Sequence, residues 1–251
     1  MILHATELGQ GPPLVLLHGL FGTGSNFGTV QRRLADDHRV LALDLRNHGQ
    51  SPHAPGMAYA TQAQDVLETL DARGLGPAAM LGHSMGGKVA MALALAAPAR
   101  VTRLLIADIA PVRYPPHFRT IIQAMQALPM PPGLTRADAG AALAPAVPDP
   151  AMRSFLLQNL RFGAAPQWRI GLEGIAAGLP DIEGWDGHGR YEGPALALSG
   201  ERSDYVMPEH RPLFRALFPA IRFATLHDAG HWLHADAPEA FVMAVRSFLA
   251  A

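Results

Sequence analysis

Apolar residues fall along this chain in two textures. Over residues 1–111, and again from 193 onward, short continuous apolar runs alternate with stretches of helical periodicity. The runs are Leu14–Leu17, Arg39–Leu43, Pro77–Leu81, Val101–Ala107, Ala195–Leu198 and Ile221–Leu226, short enough and apolar enough to be strands buried in a sheet. Ile2 to Leu8 alternates loosely and reads as an edge strand. Helices are predicted from Ser25 or Asn26 to Ala35, over Thr61–Arg73, over Val89–Ala97 up to the stop at Pro98, and over Glu209–Leu217. In the second of these Ala63, Val66, Leu67 and Leu70 share a face, and Thr61 and Gln64 stand at capping-box spacing. A terminal amphipathic helix carries Phe241, Val242, Val245, Phe248 and Leu249. Strands and helices in this order predict an α/β fold with a mostly parallel sheet between two helical layers. Ligands then bind at the carboxyl ends of the strands.

Between 112 and 192 the texture changes. Eight prolines from Pro115 to Pro150 punctuate the first half, and the intervening stretches Phe118–Leu128, Ala151–Leu160 and Gln167–Ala177 look helical, with no strand signal. This reads as a helical cap inserted over the sheet, giving a core of residues 1–111 and 193–251 and a cap of residues 112–192. The apolar cap residues Phe118, Met125, Phe155, Phe162, Trp168 and Trp185 would divide between the cap's own packing and a pocket wall, with packing the default for each one.

Composition narrows the partners. The 251 residues suffice for one large domain or a domain with an insertion, and a net charge of −1 with 16% charged residues and no basic run argues against nucleic acid or an anionic membrane. Absence of cysteine excludes disulfides, thiolate nucleophiles and cysteine-ligated metals. Histidines show no metal-ligand spacing. Met1-Ile2-Leu3-His4 has no basic n-region, and the longest apolar stretch, around Met91, is too short to span a bilayer. The expectation is a soluble cytoplasmic protein that acts on a small, fairly apolar molecule.

Candidate chemistry centres on Leu81-Gly82-His83-Ser84-Met85-Gly86-Gly87, where a predicted strand passes straight into a helix. The small residues Gly82 and Gly86 permit a sharp turn that lifts the Ser84 hydroxyl above the sheet edge, suited to acyl transfer. Two nucleotide-site patterns overlap these regions and fail. Gly82 to Lys88 matches most of a phosphate loop, yet Val89 stands where a magnesium-binding hydroxyl is needed. Gly22, Gly24 and Gly28 with Asp44 imitate a dinucleotide fingerprint, but five residues intervene after the strand and the third glycine is one place late.

In order, the chain carries His18-Gly19-Leu20-Phe21-Gly22, Asp44-x-Arg46-x-x-Gly49-x-Ser51, the Ser84 turn and Ala229-Gly230-His231. Together these resemble the α/β-hydrolase superfamily over nearly the whole length. Ala107-Asp108-Ile109-Ala110-Pro111, Ser203-Asp204-Tyr205-Val206 and the stretch from Gly230 to Asp236 look more narrowly like YbfF-type bacterial esterases. The resemblance implies a serine hydrolase for esters or thioesters of short to medium acyl chains, working through an acyl-enzyme without metal or cofactor. Ser84 would be the nucleophile and His231 the base, with backbone N–H groups of Leu20 and Met85 receiving the oxyanion. Two acids compete for the third role. Asp204 lies beside the position most usual for the superfamily, which Ser203 occupies here. Asp108, directly after the preceding strand, is the assignment the narrower resemblance favours, with Ser203 as an auxiliary hydrogen-bond donor.

Phe21, His83 and Trp232 are expected in the substrate pocket, His18 beneath the oxyanion loop, and Asp44 and Arg46 in the turn after their strand. His227 and His234 flank His231, which is preferred because Gly230 allows a close approach. Arg113, Arg119, Arg153 and Arg161 could meet an anionic head such as a coenzyme A thioester, with scattered surface arginines as the default. Competing functions are a carbon–carbon bond hydrolase of the same superfamily, a slow-turnover ligand receptor, and haloperoxidation as a side activity.

Overall fold

Six strands of the main sheet run parallel and a seventh closes one edge in the opposite direction. A computed structural model describes residues 1–251. The first half holds β1 (Ala5–Leu8), β2 (Pro13–Leu17), α1 (Gly28–Leu34), β3 (Arg39–Leu43), α2 (Tyr59–Ala72), β4 (Ala78–His83), α3 (Met85–Ala96) and β5 (Val101–Ala107). An inserted segment then forms α4 (Arg119–Gln126), α5 (Arg136–Leu143), α6 (Pro150–Leu156), β6 (Leu160–Arg161), β7 (Gln167–Trp168), α7 (Leu172–Ala177) and α8 (Leu179–Glu183). The sheet resumes with β8 (Ala195–Gly200), α9 (Arg211–Leu217), β9 (Ile221–Leu226), α10 (Leu233–Asp236) and α11 (Pro238–Ala250). Strand order is β1-β3-β2-β4-β5-β8-β9, with β1 antiparallel to β3.

Alternation along each strand divides the core between the faces. Leu14 and Leu16 pack with Phe27, Val30 and Leu34 near α1 and with Phe241 and Val245 of α11. Val15 and Leu17 face the other way, against Val66 and Leu70 of α2 and Val89 and Leu93 of α3. Ile122, Met125, Leu156 and Ile175 of the inserted segment belong to this second apolar body, so the segment extends the core over α3. Lys88 ties the two together. Lys88 is 1% exposed, its ammonium donates to the carbonyls of Val112 and Gly184 at 2.8 and 2.6 Å, and burial pushes its pKa down to about 7.

Several elements differ from the sequence expectation. No box forms between Thr61 and Gln64. Helix α2 starts earlier, at Tyr59, whose buried ring and hydroxyl bond to the Ile182 carbonyl fix the first turn, while Gln64 pairs with Glu68 on the exposed side. The expected helix over Gln167–Ala177 begins as a strand. Gln167 and Trp168 pair with Arg161 and Leu160 in a two-residue ribbon, pinned by the Trp168 indole N–H on the Met125 carbonyl, and the helix starts at Leu172. Helix α6 ends at Leu156, and a 3-10 turn carries the chain to Asn159. Helix α5 was not expected, although Thr135 and Asp138 cap each other at its start.

Candidate active site

The chain turns from β4 into α3 at Ser84, whose backbone has φ 53° and ψ −122°. A non-glycine residue in that region stores about 1–3 kcal/mol, tolerated only where the surroundings fix it. Here they do. The Ser84 N–H donates to the Ala107 carbonyl at 3.0 Å, and its own carbonyl accepts from Gly87 at 2.8 Å. Gly86 is pressed so closely onto the backbone of Leu17 and His18 that a Cβ would overlap both.

The ends of three other elements bring partners to this hydroxyl. His231, in the loop after β9, places Nε2 3.0 Å from Ser84 Oγ and Nδ1 2.8 Å from Asp108 Oδ2. Asp108 follows β5 with φ 53°, is fully buried, and accepts from the Gly200 N–H at 3.0 Å through Oδ1. Ser203 donates its hydroxyl to Oδ2 of the same carboxylate. Because Asp108 is acceptor-only when ionised, it fixes the His231 proton on Nδ1 and leaves Nε2 as the acceptor facing Ser84. Asp204 makes no bond to His231 and lines a separate outer cleft with Arg113 and His210. Of the flanking histidines, His227 meets Glu201 at the exposed surface at 3.2 Å, and His234 packs on Phe27 with ring centroids 4.9 Å apart.

Beside Ser84 the loop from His18 to Gly22 is held by buried histidines. His18 accepts the Leu45 N–H at Nε2 (2.9 Å), so its Nδ1–H donates to the Gly19 carbonyl at 2.8 Å. His48 does the same for the next residues, accepting from the Phe21 N–H at 3.1 Å and donating to the Arg46 carbonyl at 2.8 Å. Burial lowers their pKa values to about 4 and about 3, which keeps both neutral and both tautomers fixed. Asn159, from the inserted segment, donates to the Phe21 carbonyl at 2.7 Å, and Phe21 itself has φ 62°. The amides of Leu20 and Met85 have no acceptor in the protein. A Cβ on Gly19 would lie 3.1 Å from that of Ser84, so the loop runs directly alongside the hydroxyl. Asp44 binds the Gly24 and Gln50 amides at 2.7 and 2.8 Å, and Arg46 forms a two-pronged pair with Asp65 at 2.6 and 2.9 Å. Both therefore brace turns away from Ser84.

A cavity of about 170 Å³ opens over Ser84 and His231. Phe21, His83 and Trp232 line it, joined by Phe118, Ile121, Met152 and Phe155 from the inserted segment. His83 donates from Nε2 to the His231 carbonyl at 2.7 Å, and burial drives its pKa well below the usual range. Tyr205, within the Ser203–Val206 motif but not among the expected site residues, stacks its ring on His231 with centroids 4.0 Å apart and planes 19° apart. Its hydroxyl meets His117 Nε2 at 3.2 Å, and burial raises its pKa to about 12. Among the arginines weighed as anion receivers, Arg153 is committed to the Val147 and Pro148 carbonyls, both at 2.7 Å. The cavity lining contains none of the four.

Comparison with known proteins agrees with this architecture. A family model described as alpha/beta hydrolase fold matches residues 12–238. The mouse protein named sn-1-specific diacylglycerol lipase ABHD11 is 41% identical over 249 residues, 95% of this chain and 81% of its own length. Esterase YbfF of Escherichia coli K12 is 39% identical over 240 residues, covering 94% and 92%. Among solved structures, a marine microorganism esterase superimposes with a TM-score of 0.95 at 34% identity, over 98% of this chain and 99% of that one.

Proposed function

This chain belongs to the alpha/beta hydrolase family, and on that premise we propose that it is a serine esterase in which Asp108, His231 and Ser84 form one proton relay. The observation that carries the reading is the continuous line of hydrogen bonds, 2.8 Å from carboxylate to imidazole and 3.0 Å from imidazole to hydroxyl. Such a line does what acyl transfer needs: it takes a proton from a weak nucleophile at the moment of attack.

Ser84 Oγ bonds to the ester carbonyl carbon while its proton passes to His231 Nε2, giving an imidazolium stabilised by Asp108. The carbonyl oxygen, now negative, sits between the free amides of Leu20 and Met85. Donors fixed in advance in this way are each worth about 2.7–4 kcal/mol of barrier. As the carbon–oxygen bond to the leaving group breaks, His231 returns the proton to that oxygen and an alcohol departs. Water then attacks the acyl-serine, gives its proton to His231, and the carbon–Oγ bond breaks as Ser84 is reprotonated. A thiol leaving group follows the same path, so thioesters fall within the reading. Ser203 and the Gly200 amide hold the Asp108 carboxylate in one orientation, which makes them positioning groups. The inserted segment 112–192 acts as the cap, contributing apolar wall and no reacting group.

Hydrolysis of p-nitrophenyl butyrate by the wild type beside Ser84→Ala, with folding matched by circular dichroism, tests the assignment. A loss of about 10⁴-fold or more is expected. Equal rates in the two proteins would remove Ser84 from the mechanism.

A further inference from the structure

Two cavities meet at Ser84, and they differ in which reacting groups they contain. The larger, about 170 Å³, has His231, His83 and Trp232 on its wall. A smaller one of about 30 Å³ contains Met85, Lys88, Ile109 and Ile182 and does not reach His231. Leu20, Ser84, His117, Phe118 and Tyr205 border both and form the waist between them.

Proton delivery assigns the two. The leaving atom must come within hydrogen-bond reach of His231 Nε2, about 2.6–3.2 Å, when it takes its proton. The group attached to that atom therefore occupies the cavity walled by His231. With the carbonyl oxygen between the Leu20 and Met85 amides, the remaining substituent of the carbonyl carbon points to the cavity that Met85 lines. Resting on the reading of Ser84 and His231 as nucleophile and base, we propose that the smaller cavity is the acyl site and the larger one the leaving-group site, so that the preferred substrates join a short acyl group to a long apolar alcohol or thiol.

Lys88 sets the acyl limit. It stands about one helical turn after Ser84 and lines the smaller cavity. Its ammonium is held by the Val112 and Gly184 carbonyls and lies 4.9 Å from the centroid of the Tyr114 ring. A cavity this small, with Lys88 in its wall, takes an acyl chain of about four carbons. Further methylenes would meet a buried cation and its carbonyls, which cannot give way without losing the tie between α3 and both ends of the inserted segment. On the other side Phe118, Ile121, Met152, Phe155 and Trp232 offer a long apolar wall.

The test is a two-way ester series on the wild type, with acetyl, butyryl, octanoyl and dodecanoyl esters of one alcohol, and acetates of methyl, butyl and octyl alcohol. Along the acyl series kcat/KM is expected to peak at butyryl, after at most about fourfold per methylene, and to fall at least about tenfold by octanoyl. Along the alcohol series it should climb through octyl. The opposite pattern, with long acyl groups preferred and alcohol length without effect, overturns the assignment, and this result needs no variant. Ile182→Ala should move the acyl optimum past butyryl with the alcohol profile kept in shape. Phe155→Ala should flatten the alcohol series with the acyl profile kept in shape. If each variant moves both series alike, the two cavities are not separate subsites and the proposal fails. Hydrolysis of every ester at equal rates by wild type and Ser84→Ala would instead defeat the catalytic reading on which it rests.

Discussion

The carboxyl edge of the sheet and the inserted segment both face Ser84, but they are built by different means. Ser84 and Asp108 stand directly after the interior strands β4 and β5, where register fixes the backbone on both sides and both carry positive φ values, and His231 stands in the loop after the edge strand β9. Across the gap, Ile121, Met152 and Phe155 sit on helices of seven or eight residues. Helices that short are not stable alone and are placed by what they pack on. Ångström-level geometry comes from the sheet. The segment opposite supplies surface, and surface tolerates more variation than a proton relay does. Changes at the sheet edge should therefore cost orders of magnitude in turnover, and changes in the segment should alter binding.

The largest effect is expected where two acids stand close in sequence to parts of the same site. Asp108→Asn should lower kcat by about 10⁴-fold, because an amide in place of the carboxylate can donate to His231 and favour the wrong tautomer. Asp204→Asn should stay within about threefold, since Asp204 is not bonded to the imidazole. Steady-state kinetics on both variants settles this. A collapse confined to Asp204→Asn would break the contrast by moving the relay off the end of β5.

That contrast also explains what could be read in advance. Continuous apolar runs marked the strands, and the residue just past a run is at the carboxyl edge whatever the rest of the chain does. Ser84 and Asp108 follow such runs, although the choice of Asp108 over Asp204 rested on the resemblance; His231, in its glycine-preceded loop, and Ser203 were named from the resemblance of their loops to the superfamily. His48 was not legible, because its partner is the backbone N–H of Phe21, and no residue type announces a bond to a distant amide. Tyr205 lay within a recognised motif, but its stacking depends on how two loops meet. In the inserted segment a two-residue ribbon is too short to show alternation, so Gln167–Trp168 was absorbed into a helix.

A smaller effect should appear in stability against pH, and it belongs to the sheet side alone. His18 and His48 have folded pKa values of about 4 and about 3, below the unfolded value near 6.5. Between these limits the unfolded chain binds more protons, so stability rises with pH there and is lost as pH falls below about 6.5. At pH 5 each histidine should cost about 2 kcal/mol relative to pH 8, because the unfolded chain takes up a proton there and the folded one does not. Urea unfolding at pH 8 and pH 5 measures the loss. His48→Gln should make the curve flatter, since an amide accepts from Phe21 without titrating. An unchanged slope would mean that the oxyanion loop is not braced by a neutral imidazole.

The smallest expected change is at the one place where the two regions exchange roles. Asn159 belongs to the inserted segment, yet its amide donates to the Phe21 carbonyl at 2.7 Å and to that of Leu156 at 3.3 Å, joining the end of α6 to the loop that carries Leu20. A buried carbonyl left without its donor costs about 1–3 kcal/mol. The loop would respond by relaxing at Phe21, whose φ of 62° is held in place by this bond and by His48. In the proposed mechanism, movement there displaces the Leu20 amide from the oxyanion, so it acts on the charge of the transition state more than on the resting ester. Asn159→Ala should therefore lower kcat by about tenfold while KM stays within about twofold. A rise in KM at constant kcat would confine the segment to shaping the pocket and make the division between the regions complete. The expected split in favour of kcat would show instead that one residue of the segment helps to hold the oxyanion loop, and that the geometry of the sheet edge is shared at that bond.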